Sequence, residues 1–210
     1  MKTIFKPVLA AGLLGLALPA CSSLSSGESG YSSYAPVTVK RIRVADGTLY
    51  VTPPRPWNRH RSSFFEDIRQ TEDWTLNGPF LDGISFVGGL KNNQDLIRQR
   101  RTASQQVPKF RSEMTPPEIA AMLESLFRVK GGAVDFRTLG IVPRQFLGTN
   151  GFQFDYEHLD SDELWRKGRV VGTTINGRLY MILLDAARSH YYADTLPDFE
   201  AIVASAGLRA

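Results

Sequence analysis

Residues 170–187 read VVGTTINGRLYMILLDAA. Asn176-Gly177 divides two runs, Val170–Ile175 and Leu179–Leu184, both rich in β-branched and aliphatic residues. Asn-Gly readily supplies the two left-handed residues of a tight type I′ turn, so this stretch predicts an antiparallel hairpin. No other hairpin signal in the chain is as strong.

Working upstream, Phe152–His158 (FQFDYEH) alternates aromatic and acidic residues and predicts a strand with one buried face. Ala133–Leu139 predicts another. Before it, Thr115-Pro116-Pro117-Glu118 has the form of a capping box with proline at the first helical position. Ile119, Met122, Leu123, Leu126 and Phe127 then share one helical stripe that Gly131-Gly132 ends. Residues 88–112 are polar and read as a long mobile surface loop. Glu72–Leu76 and Leu81–Val87 flank Asn77-Gly78 as a second hairpin. Val37–Val44 alternates apolar and basic residues as a strand, and Asp46-Gly47 turns it back through Leu49–Val51. Trp57–Gln70 reads as loop. Downstream of the opening stretch, Thr195-Leu196-Pro197-Asp198 reads as a helix start, with Phe199, Ile202, Val203 and Ala206 as its apolar stripe. Strands that need a covered face and helices with one apolar stripe make an α+β domain, an antiparallel curved sheet with packed helices.

The order Asn176-Gly177-Arg178-Leu179-Tyr180, an apolar strand, Ala186-Ala187, Tyr191-Tyr192, Pro197-Asp198-Phe199-Glu200 and Ser205 resembles the PsbP/Mog1-like fold. The resemblance covers roughly residues 115–207. It implies an α/β/α sandwich in which the hairpin leads into a final helix. It also implies a non-enzymatic binding or assembly protein, since that group has no shared catalytic motif, and a fold does not by itself set a function.

The N-terminus carries a different message. Lys2 and Lys6 precede PVLAAGLLGLALPA, residues 7–20, the pattern of a secretory signal and too short for a membrane span. Leu18-Pro19-Ala20-Cys21 resembles the lipobox of bacterial lipoproteins, with Pro19 where Ala or Ser is commoner. The resemblance implies a signal peptide of residues 1–20, removed before Cys21, and acyl groups such as palmitate on Cys21. Two or more acyl chains make a stable membrane anchor. Cys21 is the only cysteine, so no disulfide within the chain is available to it. Residues 21–36 are Ser/Gly-rich and predict a tether, followed by a single domain over 37–210. Ser22 stands where aspartate retains Gram-negative lipoproteins at the inner membrane. The expected address is therefore the outer membrane, facing the periplasm.

The formal charge is +4, unevenly spread. Residues 40–111 hold thirteen Lys/Arg against seven Asp/Glu, and residues 112–210 hold ten against thirteen. Arg98, Arg100, Arg101, Lys109 and Arg111 form a candidate surface for anionic lipid or another anionic envelope polymer. An envelope location speaks against nucleic acid as a partner; an envelope protein is the other expected one.

Chemistry is sparse. His60, His158 and His190 lie far apart and match no metal spacing, so no metal and no cofactor is expected. His158 reads as a partly exposed strand end near Asp155, Glu157 and Asp160. Ser85 lacks the glycine spacing and the strand-to-helix context of a nucleophile elbow. Asp160–Glu163 lacks the ligand spacing of a calcium loop. Trp57, Trp165, Tyr191 and Tyr192 are candidate contact aromatics. The leading expectation is a non-catalytic binding module. The alternative is an envelope hydrolase with a site near His158 or His190, in which a histidine, a carboxylate and a hydroxyl would meet in one pocket.

Overall fold

A computed structural model describes residues 34–60, 68–99 and 105–209. In chain order its strands and helices are β1 (Tyr34–Val37), β2 (Ile42–Val44), β3 (Leu49–Val51), β4 (Trp57–His60), β5 (Thr71–Thr75), β6 (Asp82–Lys91), α1 (Pro116–Lys130), β7 (Asp135–Phe146), β8 (Thr149–Leu159), β9 (Trp165–Ile175), β10 (Arg178–Ala187), α2 (Tyr191–Ser205) and β11 (Gly207–Leu208). Eight strands form one sheet in the order β1-β4-β5-β6-β10-β9-β8-β7, every neighbouring pair antiparallel. A small sheet, β11-β3-β2, stands apart from it.

The 176–177 hairpin forms as expected, with Arg178 opposite Ile175 and both turn residues at positive φ. Its second arm explains why the run from Leu179 to Leu184 is apolar without alternation. β10 lies in the interior of the sheet, and both of its faces are covered. Leu179, Met181 and Leu183 enter one core with Leu123, Leu126 and Phe127 of α1. Tyr180, Ile182, Leu184 and Ala186 enter a second core with Phe199 and Ile202 of α2. Period-2 geometry sends alternate side chains to opposite faces, so a strand between two helical layers must be apolar at every position. The result is the α+β sandwich expected, one helix on each face of the sheet.

α1 begins where its capping box predicts. The Glu118 carboxylate accepts the Thr115 backbone N–H at 2.7 Å and its hydroxyl at 2.8 Å. α2 does not begin at Thr195. It starts at Tyr191 and runs through Pro197. Thr195 is buried inside the helix and donates to the Tyr191 carbonyl, while Asp194 and Asp198 pair with Arg55 instead of capping.

Other expectations change as well. Val37–Val44 is two strands, not one, because β1 joins the large sheet and β2 the small one. β1 opens at Tyr34, inside the stretch whose composition reads as tether. Part of Trp57–Gln70 is strand β4, which Trp57 pins into the second core. Residues 88–112 are not simply a polar surface loop. β6 runs on to Lys91, and Leu96, Ile97, Val107 and Phe110 are buried in the α1-side core. The Gln99 side chain bonds both the N–H and the carbonyl of Val107, which ties the two limbs of the segment together. Its apolar residues are spaced irregularly, so neither a strand nor a helix period announced them. No helix among the described residues is long and apolar enough to cross a membrane.

Candidate binding cleft

The sheet places side chains in cross-strand rows, and two of these rows reach a cleft of about 430 Å³ at the C-terminal end of α1, the second of them only through Asp185. In one row His60, Asp73 and Ser85 stand opposite each other on β4, β5 and β6. In the other, Tyr156 of β8 reaches across Gly168 of β9 toward Asp185 of β10. Gly168 is required there: a Cβ on it would come within 2.0 Å of the Tyr156 ring.

Asp185 is the hub. One carboxylate oxygen, Oδ2, accepts the Tyr156 hydroxyl at 2.9 Å and His158 Nε2 at 2.8 Å. The other, Oδ1, takes a short ion pair from Arg166 Nε. His158 Nδ1 lies 2.8 Å from Asp160 Oδ1, so each ring nitrogen faces a carboxylate. The His158 side chain is only 2 % exposed and that of Asp185 13 %. Burial works against the imidazolium, but the hydrogen bonds and charges of Asp160 and Asp185 outweigh it and raise the pKa from 6.5 to about 9. Burial likewise opposes the Asp185 carboxylate, and Arg166 with His158 overcomes it, lowering the pKa to about 2. Burial, with Asp185 alongside, holds the Tyr156 phenol well above its ordinary value. Within this cluster two cations, His158 and Arg166, face two anions, Asp160 and Asp185.

The expectation of a partly exposed His158 is thus overturned. The alternation of β8 turns its side chain inward with Phe152, Phe154 and Tyr156. A histidine, a carboxylate and a hydroxyl do meet within 3 Å. In their arrangement, however, Nε2 is bonded to Asp185 and Nδ1 faces Asp160 as an ion pair without hydrogen-bond geometry. The two carboxylates favour the charged imidazolium, which has no lone pair to take a proton. His190 lies outside this cleft, exposed at the start of α2 with its ring edge-on to Tyr191.

The mouth is shaped by the β5–β6 turn. Asp82, fully buried, accepts from the Thr75 hydroxyl, the backbone N–H groups of Leu76 and Asn77, and the Asn77 side-chain amide. Arg166 also donates to the Phe80 carbonyl at 2.7 Å. The turn so fixed presents a Phe80 ring that is 80 % exposed. The contact aromatics anticipated from sequence sit elsewhere: Trp57 and Tyr192 are buried, and Trp165 lies between the Arg137 and Arg188 guanidinium groups. Among the described residues no group of three or more His, Cys, Asp or Glu side chains is placed to hold a metal ion.

Of the candidate anionic-surface residues, Lys109 pairs with Asp95 and Arg111 with Glu113 and Glu118. Arg98 is described and also engaged, and Arg100 and Arg101 lie outside the described residues, as does Cys21.

The pKa directions give a stability profile. A raised imidazole pKa stabilises the fold below the unfolded value of 6.5, and that contribution disappears as pH climbs through about 9. The lowered Asp185 pKa contributes above 3.8 and is lost as pH falls through about 2. Both shifts report one cluster and count once. Urea unfolding is expected to show about 3 kcal/mol less stability at pH 9 than at pH 6, and His158→Gln to flatten that alkaline limb.

Comparison with solved structures places the fold. The chain is similar to the cyanobacterial PsbP (CyanoP) solution structure from Synechocystis sp. PCC 6803, with a TM-score of 0.51 and 14 % identity over 88 % of this chain and 98 % of that one. It also aligns with the Saccharomyces cerevisiae Ran-binding protein Mog1p (TM-score 0.49, 10 % identity, 80 % and 94 % covered). A third match is LpqN of Mycobacterium tuberculosis, a protein involved in cell envelope biogenesis (TM-score 0.34, 10 % identity, 86 % and 88 % covered). The first of these likenesses shows an α+β PsbP-like fold. No protein-family model and no curated protein matches the sequence.

Proposed function

We propose that this chain is a lipid-anchored cell-envelope protein whose domain is a non-catalytic binding module facing the periplasm. The membrane is reached through acyl groups on Cys21, and the partner is another envelope component. One observation carries the binding reading: a cleft of ligand-pocket size has a polar floor in which the buried His158 imidazole is held between the Asp160 and Asp185 carboxylates. The one free hydroxyl on that floor, Ser85, has Asp73 and Leu183 as strand neighbours and no histidine beside it. Nucleophilic chemistry needs a base bonded to its hydroxyl, and Ser85 has none. A preorganised polar surface suits recognition.

The anchor is tested by metabolic labelling with an alkyne-bearing palmitate and by fractionation. Wild-type chain is expected to take the label and sediment with membranes. Cys21→Ala is expected to take none. Unlabelled wild-type protein, soluble and with an intact N-terminus, would overturn the proposal.

A further inference from the structure

We propose that the cleft binds a neutral saccharide, with one sugar ring stacked on Phe80 and its hydroxyls bonded to the floor. This deepens the binding reading above and rests on it.

Three features support it. Among the described residues the cleft lining carries five carboxylates, Asp73, Asp82, Asp160, Asp162 and Asp185, against the cations Lys130, His158 and Arg166, an acidic excess. An anionic ligand would meet this excess of carboxylates, whereas a neutral polyol can donate its hydroxyls to their remaining acceptor directions without disturbing their pairing. Ser85 is 8 % exposed, lines the cleft and has no hydrogen-bond partner. A buried hydroxyl is costly to leave unpaired, so its opening toward the cleft marks a place where a ligand hydroxyl is favoured.

The third feature is Phe80. Phe80 is 80 % exposed, lines the cleft, and stands on a turn that is fixed in place. Asp82 immobilises the turn from below, and Arg166 grips the carbonyl of Phe80 itself. The electron-rich face of an aromatic ring attracts polarised hydrogens. The C–H face of a pyranose offers these, and its hydroxyls point outward to the polar floor. Arg166 serves both parts, since the same guanidinium pairs with Asp185 and positions the platform.

The test is calorimetric titration of the full chain, purified in a detergent without a sugar headgroup. The probes are chitotriose, maltotriose, a trigalacturonate and hexanol. At least one neutral trisaccharide is expected to bind with a Kd of about 1 mM or tighter, and the trigalacturonate about tenfold more weakly. Phe80→Ala and Ser85→Ala are each expected to weaken that binding about tenfold while leaving the unfolding midpoint unchanged. Saturable binding of hexanol alone would leave a binding cleft but overturn the saccharide. Preference for the trigalacturonate, or no binding of any probe, would also overturn it. Saccharide binding unaffected by both variants would place the site elsewhere and overturn this assignment. Failure of the Cys21 experiment would leave the titration intact, so the two proposals fall separately.

Discussion

Asparagine in place of Asp185 is expected to lower the unfolding midpoint by roughly 10 °C, the effect of losing about 3–5 kcal/mol in a chain of this size. The substitution keeps the shape and removes one charge. His158 and Arg166 then share only Asp160, which reaches Arg166 at 3.8 Å. A buried cation left without its counter-ion is among the most destabilising local changes known for proteins. The Tyr156 hydroxyl also loses its charged acceptor, though it keeps the Leu184 carbonyl at 3.2 Å. Differential scanning calorimetry measures the shift. A double-mutant cycle with His158→Gln should recover part of the loss, because the second change removes the orphaned charge. A midpoint within 2 °C of wild type would show that this cluster does not hold the sheet end together.

Alanine at Gly168 is the other large effect. Its Cβ would lie within 2.0–2.3 Å of two ring carbons and the hydroxyl oxygen of Tyr156. The ring is fully buried and hemmed in by Phe127 and Phe136, at centroid distances of 5.3 and 5.2 Å. It cannot swing aside without breaking its bond to Asp185. A loss of about 3 kcal/mol is expected, at the upper end for overpacking by a single methyl. Gly140→Ala is the control: nothing lies within 4 Å of its added Cβ, and a change of less than about 0.5 kcal/mol is expected. Equal effects of the two substitutions would refute the steric account.

These residues show what could and could not be read from the chain. The 176–177 hairpin, the capping box at Thr115 and the stripe of α1 are local patterns, and all are legible. β4 was not, because Trp57-Asn58-Arg59-His60 is short and lacks alternation; its place depends on β1 and β5 on either side. The charge cluster is harder still. Arg166 and Asp185 are 19 residues apart, and Arg166 and the Phe80 carbonyl are 86 apart. One trace was visible: Asp185 is a lone carboxylate closing an apolar run, and an acid in a strand buried on both faces needs a partner. Phe80 gave no warning, since exposed and buried phenylalanines look alike in a sequence.

The position of β10 sets the order of events during synthesis. It joins β6 on one side to β9 on the other, yet it comes almost last in the chain. Until residue 187 or so has emerged, β6 has no inner neighbour, and the β10 side chains are missing from both cores. Closing that seam brings together segments about ninety residues apart, the sort of distant pairing that slows folding. A chain delivered N-terminus first therefore stays open for nearly its whole length. Any truncation before Arg178 leaves two unfinished half-sheets with raw edges.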